Sequence, residues 1–169
     1  MSTLLRPTQL HRASRFSWLM GMYAENYWTL TRLFGVQQLF PGAYRSEGDV
    51  GMPIVIDVVE RAPYTLEMKL SYAIIDPSSG NPDPSAHVRF YFDARVAEVT
   101  ACHQGSRIED VLGRDAHCED VIRHRLHMNA FLGKWLAYLE QSGHSRFGLH
   151  RCDQIDKLES SALEIGKLQ

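Results

Sequence analysis

The sequence predicts an α+β fold: a four-stranded antiparallel meander sheet flanked by a long N-terminal helix and a long C-terminal helix. Three observations support this. Leu66, Met68, Leu70, Tyr72 and Ile74 alternate with Thr65, Glu67, Lys69 and Ser71, which puts one strand face in a core and the other in water. A sheet wet on one side fits antiparallel pairing better than parallel. Residues 88–101 contain two further strand-like runs separated by a short turn. Finally, apolar residues recur at three- and four-residue steps in two long stretches, 14–35 and 118–142, the spacing of a single helix face.

Taken in order, residues 1–13 read as a flexible arm. Ser14 is a suitable N-cap for the first helix, and Gly35 a suitable end. The stripe of that helix is Phe16, Leu19, Met20, Tyr23, Tyr27, Leu30 and Phe34. Trp18, Met22 and Trp28 fall off it. Wrapping by other elements would account for them. A second copy of the chain packed on the helix would do so too, and on that ground a homodimer through the first helix is expected.

Residues 35–51 read as a loop, with turn signals at Phe40-Pro41-Gly42 and Glu47-Gly48-Asp49. Two strands follow, Pro53–Glu60 and Tyr64–Ile75, joined at Arg61-Ala62-Pro63. Asp76 to Ser85 is made of turn formers, so an exposed, mobile connection is expected. Residues 104–117 are irregular, with a helical turn expected around Ile108, Val111 and Leu112. The second helix runs from Cys118 to Ser142. Asp115, Glu119 and Asp120 lie at its positive end, and Gly143 follows its last turn. Its stripe is Val121, Met128, Phe131, Leu132, Trp135, Tyr138 and Leu139. A single α+β domain therefore spans 14–143. Residues 144–169 form a C-terminal tail in which Ile155, Leu158, Ala162 and Ile165 suit a short helix.

The hairpin organises the chain. With a two-residue turn at Ala94-Arg95, Tyr91 pairs with Glu98, Arg89 with Thr100, Phe90 with Val99 and Val88 with Ala101. Val88, Phe90 and Phe92 then share a face with Ala97, Val99 and Ala101, while Arg89, Tyr91, Asp93, Glu98 and Thr100 share the other. A one-residue slip would mix the two sets.

Composition narrows the function classes. The chain has 169 residues, 44% hydrophobic and 22% charged, enough for one sizeable core. A net charge of −2 argues against nucleic acid as a partner. The arginines crowded before residue 46 (Arg6, Arg12, Arg15, Arg32, Arg45) suit either an acidic partner or balance by acids elsewhere in the fold, of which the second is favoured. No apolar run approaches the ~20 residues of a membrane span, so no membrane is expected. The N-terminus lacks a signal-peptide pattern, and Cys102, Cys118 and Cys152 show no paired spacing. These features together place the protein in the cytoplasm with reduced thiols.

The run Val88-Arg89-x-Tyr91-x-Asp93-Ala94-x-Val96-Ala97-Glu98-Val99 resembles the signature of the YqiB-like proteins, a proteobacterial family of unknown function. Asn26-x3-Leu30-x-Arg32-Leu33 and Asn129-x-Phe131-Leu132-x2-Trp135-Leu136-x-Tyr138 agree with it. The resemblance covers about residues 20–143 and implies a small cytoplasmic protein with no established catalytic residues. Some members carry a dehydrogenase label, but no Gly-x-Gly-x-x-Gly follows a strand here. The family's gene neighbourhood implies nucleotide chemistry, which gives the alternative reading its substrate class: an enzyme acting on a nucleotide-like small molecule.

The residues themselves favour a binding or regulatory module without chemistry of its own. The candidate site is the polar hairpin face, Arg89, Tyr91 and Glu98. There a guanidinium fork, a phenol and a carboxylate gather within two rungs of one ladder and suit a protein partner or a small anionic ligand. Against this stands an ordinary solvated face with an Arg–Glu pair of little energetic value. No metal, cofactor or catalytic residue is expected. Cys102-His103, His117-Cys118 and His124-x-x-His127 lack the paired spacing of zinc sites. Glu109-Asp110 and Glu119-Asp120 are sequence neighbours whose side chains diverge. No nucleophile elbow or phosphate-binding loop occurs.

Overall fold

The computed structural model describes residues 7–73, 77, 84–102 and 117–152, with side chains from Arg15 onward. The arm before residue 7, the turn expected around Ile108, most of the 76–85 connection and the tail beyond Cys152 lie outside the described residues.

The first helix, α1 (Pro7–Phe34), begins ahead of the expected Ser14 cap. Proline suits a first turn, where its missing N–H would have no partner. At the other end Gly35 takes φ 61° and donates its N–H to the Thr31 carbonyl at 2.9 Å, the left-handed termination glycine allows. A 3-10 turn (Val36–Gln38) then leads toward the sheet. Leu19, Tyr23, Tyr27, Leu30, Leu33 and Phe34 are buried along one face of α1. Phe16 and Met20, expected on that face, are exposed. Periodicity marks a face but not how far its cover extends, and among the described side chains of α1 Leu19 is the first that is buried. Trp18 and Trp28 are 63% and 52% exposed, so among the described residues neither is wrapped.

The sheet has six strands where four were expected: β1 (Gly42–Ser46), β2 (Ile54–Arg61), β3 (Thr65–Tyr72), β4 (Ser85–Tyr91), β5 (Val96–Cys102) and β6 (Leu149–Arg151). Their order is β5-β4-β3-β2-β1-β6, with every pairing antiparallel. The central meander β2–β5 is the predicted part. The two additional strands carry no alternation to betray them. Gly42-Ala43-Tyr44-Arg45 is half-buried throughout and sits in the segment read as a loop, and β6 is only three residues long.

The hairpin keeps its predicted faces but not its register. Tyr91 faces Val96, Phe90 faces Ala97, Arg89 faces Glu98 and Val88 faces Val99. Four residues, Phe92 to Arg95, therefore stand outside the ladder instead of two. A two-residue turn of the favoured type needs φ above zero at both positions, which Ala-Arg supplies poorly. The longer turn has one such residue, Arg95 at φ 55°. Because the correction shifts each partner by two, inward side chains stay inward. A bulge between Val88 and His87 leaves Thr100 unpaired on β5, and its hydroxyl donates to the His87 carbonyl at 3.3 Å.

The second helix, α2 (Cys118–Gln141), has Glu119 and Asp120 in its first turn. It ends at Gly143 as predicted. The N–H of Gly143 bonds Glu140 O (3.1 Å) and that of His144 bonds Leu139 O (3.0 Å), the paired bonds of a Schellman motif. Both helices lie on one side of the sheet. Tyr27, Leu30 and Phe34 of α1 and Leu132, Leu136 and Leu139 of α2 close over Ile54, Ile56, Leu66, Met68, Leu70, Val88, Phe90 and Val99. Tyr138, expected on the inward stripe of α2, is half exposed. Its place is taken by Leu136 and by one polar residue, Asn129.

Candidate functional site

The opposite sheet face bears Glu67 and Lys69 of β3, His87, Arg89 and Tyr91 of β4, and Glu98 and Thr100 of β5, all only partly buried. Alternation places them there: each is the strand neighbour of a buried residue. The face remains open to solvent among the described residues, which is the condition for Arg89, Tyr91 and Glu98 to meet anything.

The three residues are adjacent, yet they divide between two groups. Arg89 lies directly across from Glu67 and donates Nε–H to its Oε1 at 2.6 Å, with the terminal guanidinium nitrogen on the same oxygen. These side chains are 43% and 39% exposed. Tyr91 first and Glu67 second hold the Arg89 guanidinium above its ordinary pKa. Tyr91 O–H donates to Glu98 Oε1 at 3.0 Å. Burial, opposed by Arg89, raises the Tyr91 phenol.

Glu98 is held from the other side by α2. Arg125 Nη1 donates to Glu98 Oε2 at 2.7 Å and to the Tyr23 hydroxyl at 3.3 Å, so one guanidinium ties β5 to both helices. Burial draws the Arg125 pKa down, but Tyr23 and Glu98 outweigh it and the net shift is upward. The Tyr23 phenol is raised, chiefly by burial. Glu98 is thus a structural carboxylate with one side on the open face. Arg89 remains an accessible cation of this face, as does Lys69 on the neighbouring strand. Sequence reasoning missed both Glu67 and Arg125. The first was recoverable in principle, since an acid on β3 and a base on β4 share the polar face; the second needed the helix placed against the edge strand.

Of the other candidates, Cys102 is half-buried, and burial pushes its thiol up to about 11, which disfavours the thiolate. Cys118 is exposed. The His124 imidazole is lowered by burial, with the charges of His127 and Arg125 adding to the effect. Among the described residues no three His, Cys, Asp or Glu side chains converge as metal ligands. Asp120 is engaged by Arg123 one helical turn on. Among the described residues no helix is long and apolar enough to cross a membrane. Two cavities of about 360 and 380 Å³, one beside Trp135 and one beside Arg61, are lined by residues other than Arg89, Tyr91 and Glu98.

A family model described as "Protein of unknown function (DUF1249)" matches residues 29–145, which includes five strands of the sheet, α2 and the last six residues of the first helix. No curated protein and no solved structure matches the chain.

Proposed function

We propose, from the premise that the chain belongs to the DUF1249 family of proteins of unknown function, that it is a binding module. It engages a protein partner through the polar face of the sheet, with Arg89 as the anchor and Tyr91 and Glu98 beside it. The observation that supports this is the half-exposed Glu67–Arg89 pair on a sheet face open among the described residues. Arg89, Tyr91 and Glu98 line none of the cavities described among the described residues, and a ladder of charges on an open face suits a protein surface better than a small anionic ligand, which normally enters a concave site. An exposed pair of this kind contributes little to stability, so its arginine is available for a new carboxylate. The narrower YqiB-like kinship and the cytoplasmic location belong to the same proposal.

The test is affinity purification followed by calorimetry on the partner identified. Arg89→Ala should weaken binding about tenfold or more, and Arg89→Lys nearly as much if the contact is a planar fork. Hydrogen exchange should slow along β3–β5 in the complex. An affinity unchanged by Arg89→Ala would remove the reading.

The exposed Trp18 and Trp28 of α1 support a second element, a homodimer through that helix. Light scattering that finds only a 19.3 kDa species at micromolar concentration would exclude it.

A further inference from the structure

The β2–β3 and β4–β5 turns lie at the same end of the sheet, where the Phe92 N–H donates to the Tyr64 carbonyl at 2.8 Å. Between these turns and α1 opens a cavity of about 380 Å³, lined by Tyr27, Gln37, Arg61, Pro63, Phe92 and Arg95. Two guanidinium groups and no carboxylate line it, and the surface it presents is mainly polar.

The two arginines play different parts. Arg61 belongs to the fold. It donates to the carbonyls of Leu39 (2.6 Å) and Gln37 (2.8 Å), and it lies between the rings of Phe40 and Phe92, 5.3 and 5.5 Å from their centroids. No carboxylate pairs with it among the described residues, so its charge is left in the wall although its donors serve the 37–39 segment. Arg95 is uncommitted. Its guanidinium lies over the exposed ring of Trp28, 5.9 Å from the centroid, and no hydrogen bond or ion pair holds it among the described residues. Stacking engages the face of a guanidinium and leaves its in-plane N–H donors for an anion.

A third polar element is the Tyr27 hydroxyl, which accepts from Gln37 Nε2 at 2.8 Å. Its own hydrogen has no acceptor among the described residues. With the Gln37 amide turned over, the tyrosine would donate and both amide N–H groups would be spare. In either orientation the pair retains a donor.

The competing role for Arg95 is to fasten the hairpin turn to α1 through Trp28. At an exposed site such a contact is weak. Arg95 is also the one non-glycine residue at positive φ (55°) among the described residues, a turn position that glycine fills without strain. The backbone thus gains nothing from an arginine there, and the side chain is what the position keeps. Two unneutralised positive charges favour a dianion. The cavity exceeds what bare phosphate needs and falls in the range of small-molecule sites, and its polar walls call for a hydroxylated body.

We propose that this cavity binds a small hydroxylated phosphate monoester. Arg95 donates to the phosphate, the fixed charge of Arg61 adds to the attraction, and Tyr27 and Gln37 meet the hydroxyl groups. The site is independent of the Arg89 face, and either can fail without the other.

The test is a titration of the 15N-labelled full chain followed by two-dimensional NMR, with glycerol 3-phosphate, inorganic phosphate and glycerol as probes. Glycerol 3-phosphate should give saturable shifts centred on Arg95, Gln37 and the Trp28 indole, at a concentration about tenfold or more below that needed for inorganic phosphate. Arg95→Gly should weaken this binding at least about tenfold, because it removes the charged donor. The same variant should melt no lower than the wild type, since glycine suits the backbone, and its spectrum away from the cavity should stay native. Four outcomes would overturn the proposal: no saturable shift with glycerol 3-phosphate, equal affinity for inorganic phosphate, equal affinity for glycerol, or unchanged binding by a folded Arg95→Gly protein.

Discussion

The side-chain oxygen of Asn129 accepts the backbone N–H of Val99 at 3.2 Å, so a helix residue satisfies an outward-facing donor of the edge strand β5. The same oxygen accepts Asn26 Nδ2 from α1 at 3.2 Å, and Asn129 Nδ2 donates to the Arg125 carbonyl at 2.8 Å. Asn129 is fully buried and Asn26 nearly so. Edge strands otherwise offer their free backbone groups to other chains. Here two amides close that position and fix the spacing of both helices against the sheet.

Asn129→Ala should cost about 2 kcal/mol, because it leaves the Val99 N–H buried without its acceptor and the Asn26 amide with only the longer bond, 3.4 Å, to the carbonyl of residue 129. Asn26→Ala should cost about 1–2 kcal/mol, since only its own donor bonds are lost. Urea unfolding of both single variants and the double variant would test this. Coupling is expected, so the double variant should lose less than the sum of the two. Strict additivity would show that the pair does not act as a unit.

The two helix-ending glycines should respond differently to alanine. Both take positive φ, 61° at Gly35 and 84° at Gly143. A Cβ at Gly35 would meet nothing nearer than 4.0 Å, whereas at Gly143 it would collide with the Asp49 carboxylate and come within 2.9 Å of the Asp49 backbone nitrogen. Gly35→Ala should cost about 1 kcal/mol, the left-handed penalty alone. Gly143→Ala should cost about twice that or more, because the 47–51 segment must also move. Equal losses in thermal denaturation would show that Asp49 yields freely.

The polar face of the hairpin was legible because alternation in 64–72 and 88–101 assigns side chains to faces whatever the exact turn. Arg89, Tyr91 and Glu98 accordingly lie together where expected, even though the ladder is shifted by two. What the sequence could not display was the set of partners. Glu67 reaches Arg89, and Arg125 reaches Glu98, across separations of 22 and 27 residues. Those contacts depend on strand register and on where α2 crosses β5. Tyr44 and Arg151 are brought together by β6, a strand too short to leave a period. The two asparagines stand in the motifs that carry the family resemblance, but only the fold shows that they touch.

Stability should fall on mild acidification, through histidines that fold in neutral form. Burial lowers the His144 imidazole from its ordinary value of 6.5, against a backbone hydrogen bond at Met52 that acts the other way. Burial, then the charge of Lys69, lowers His87. The unfolded chain therefore binds more protons as pH falls. This contribution is complete above 6.5 and is lost as pH drops through the folded-state values. His144 Nδ1 lies 3.0 Å from Ser46 Oγ, so His144→Asn preserves a polar partner without a titrating ring. The thermal midpoint of the wild type should decline from about pH 7.5 to about pH 5, and that of His144→Asn should decline less. Equal slopes would remove His144 as a contributor.

Two arginines bracket the polar face, and their substitution should separate structure from recognition. Arg89 and Glu67 are 43% and 39% exposed, whereas Arg125 and Glu98 are 34% and 15% exposed. The first pair lies between strands that many backbone bonds already join, so Arg89→Ala should change stability by no more than about 0.5–1 kcal/mol. Arg125 does more, because its charged hydrogen bonds span α2, β5 and the Tyr23 hydroxyl of α1. Arg125→Ala leaves the Glu98 carboxylate largely enclosed and without its cation, a loss of about 2–3 kcal/mol. Glu98→Gln should cost less than Arg125→Ala, since the amide oxygen can still accept from Arg125 while the amide NH2 donates to the Tyr91 hydroxyl. Chemical denaturation of the three variants tests this order. A larger loss for Arg89→Ala than for Arg125→Ala would make Arg89 part of the scaffold and withdraw it as the anchor for a partner.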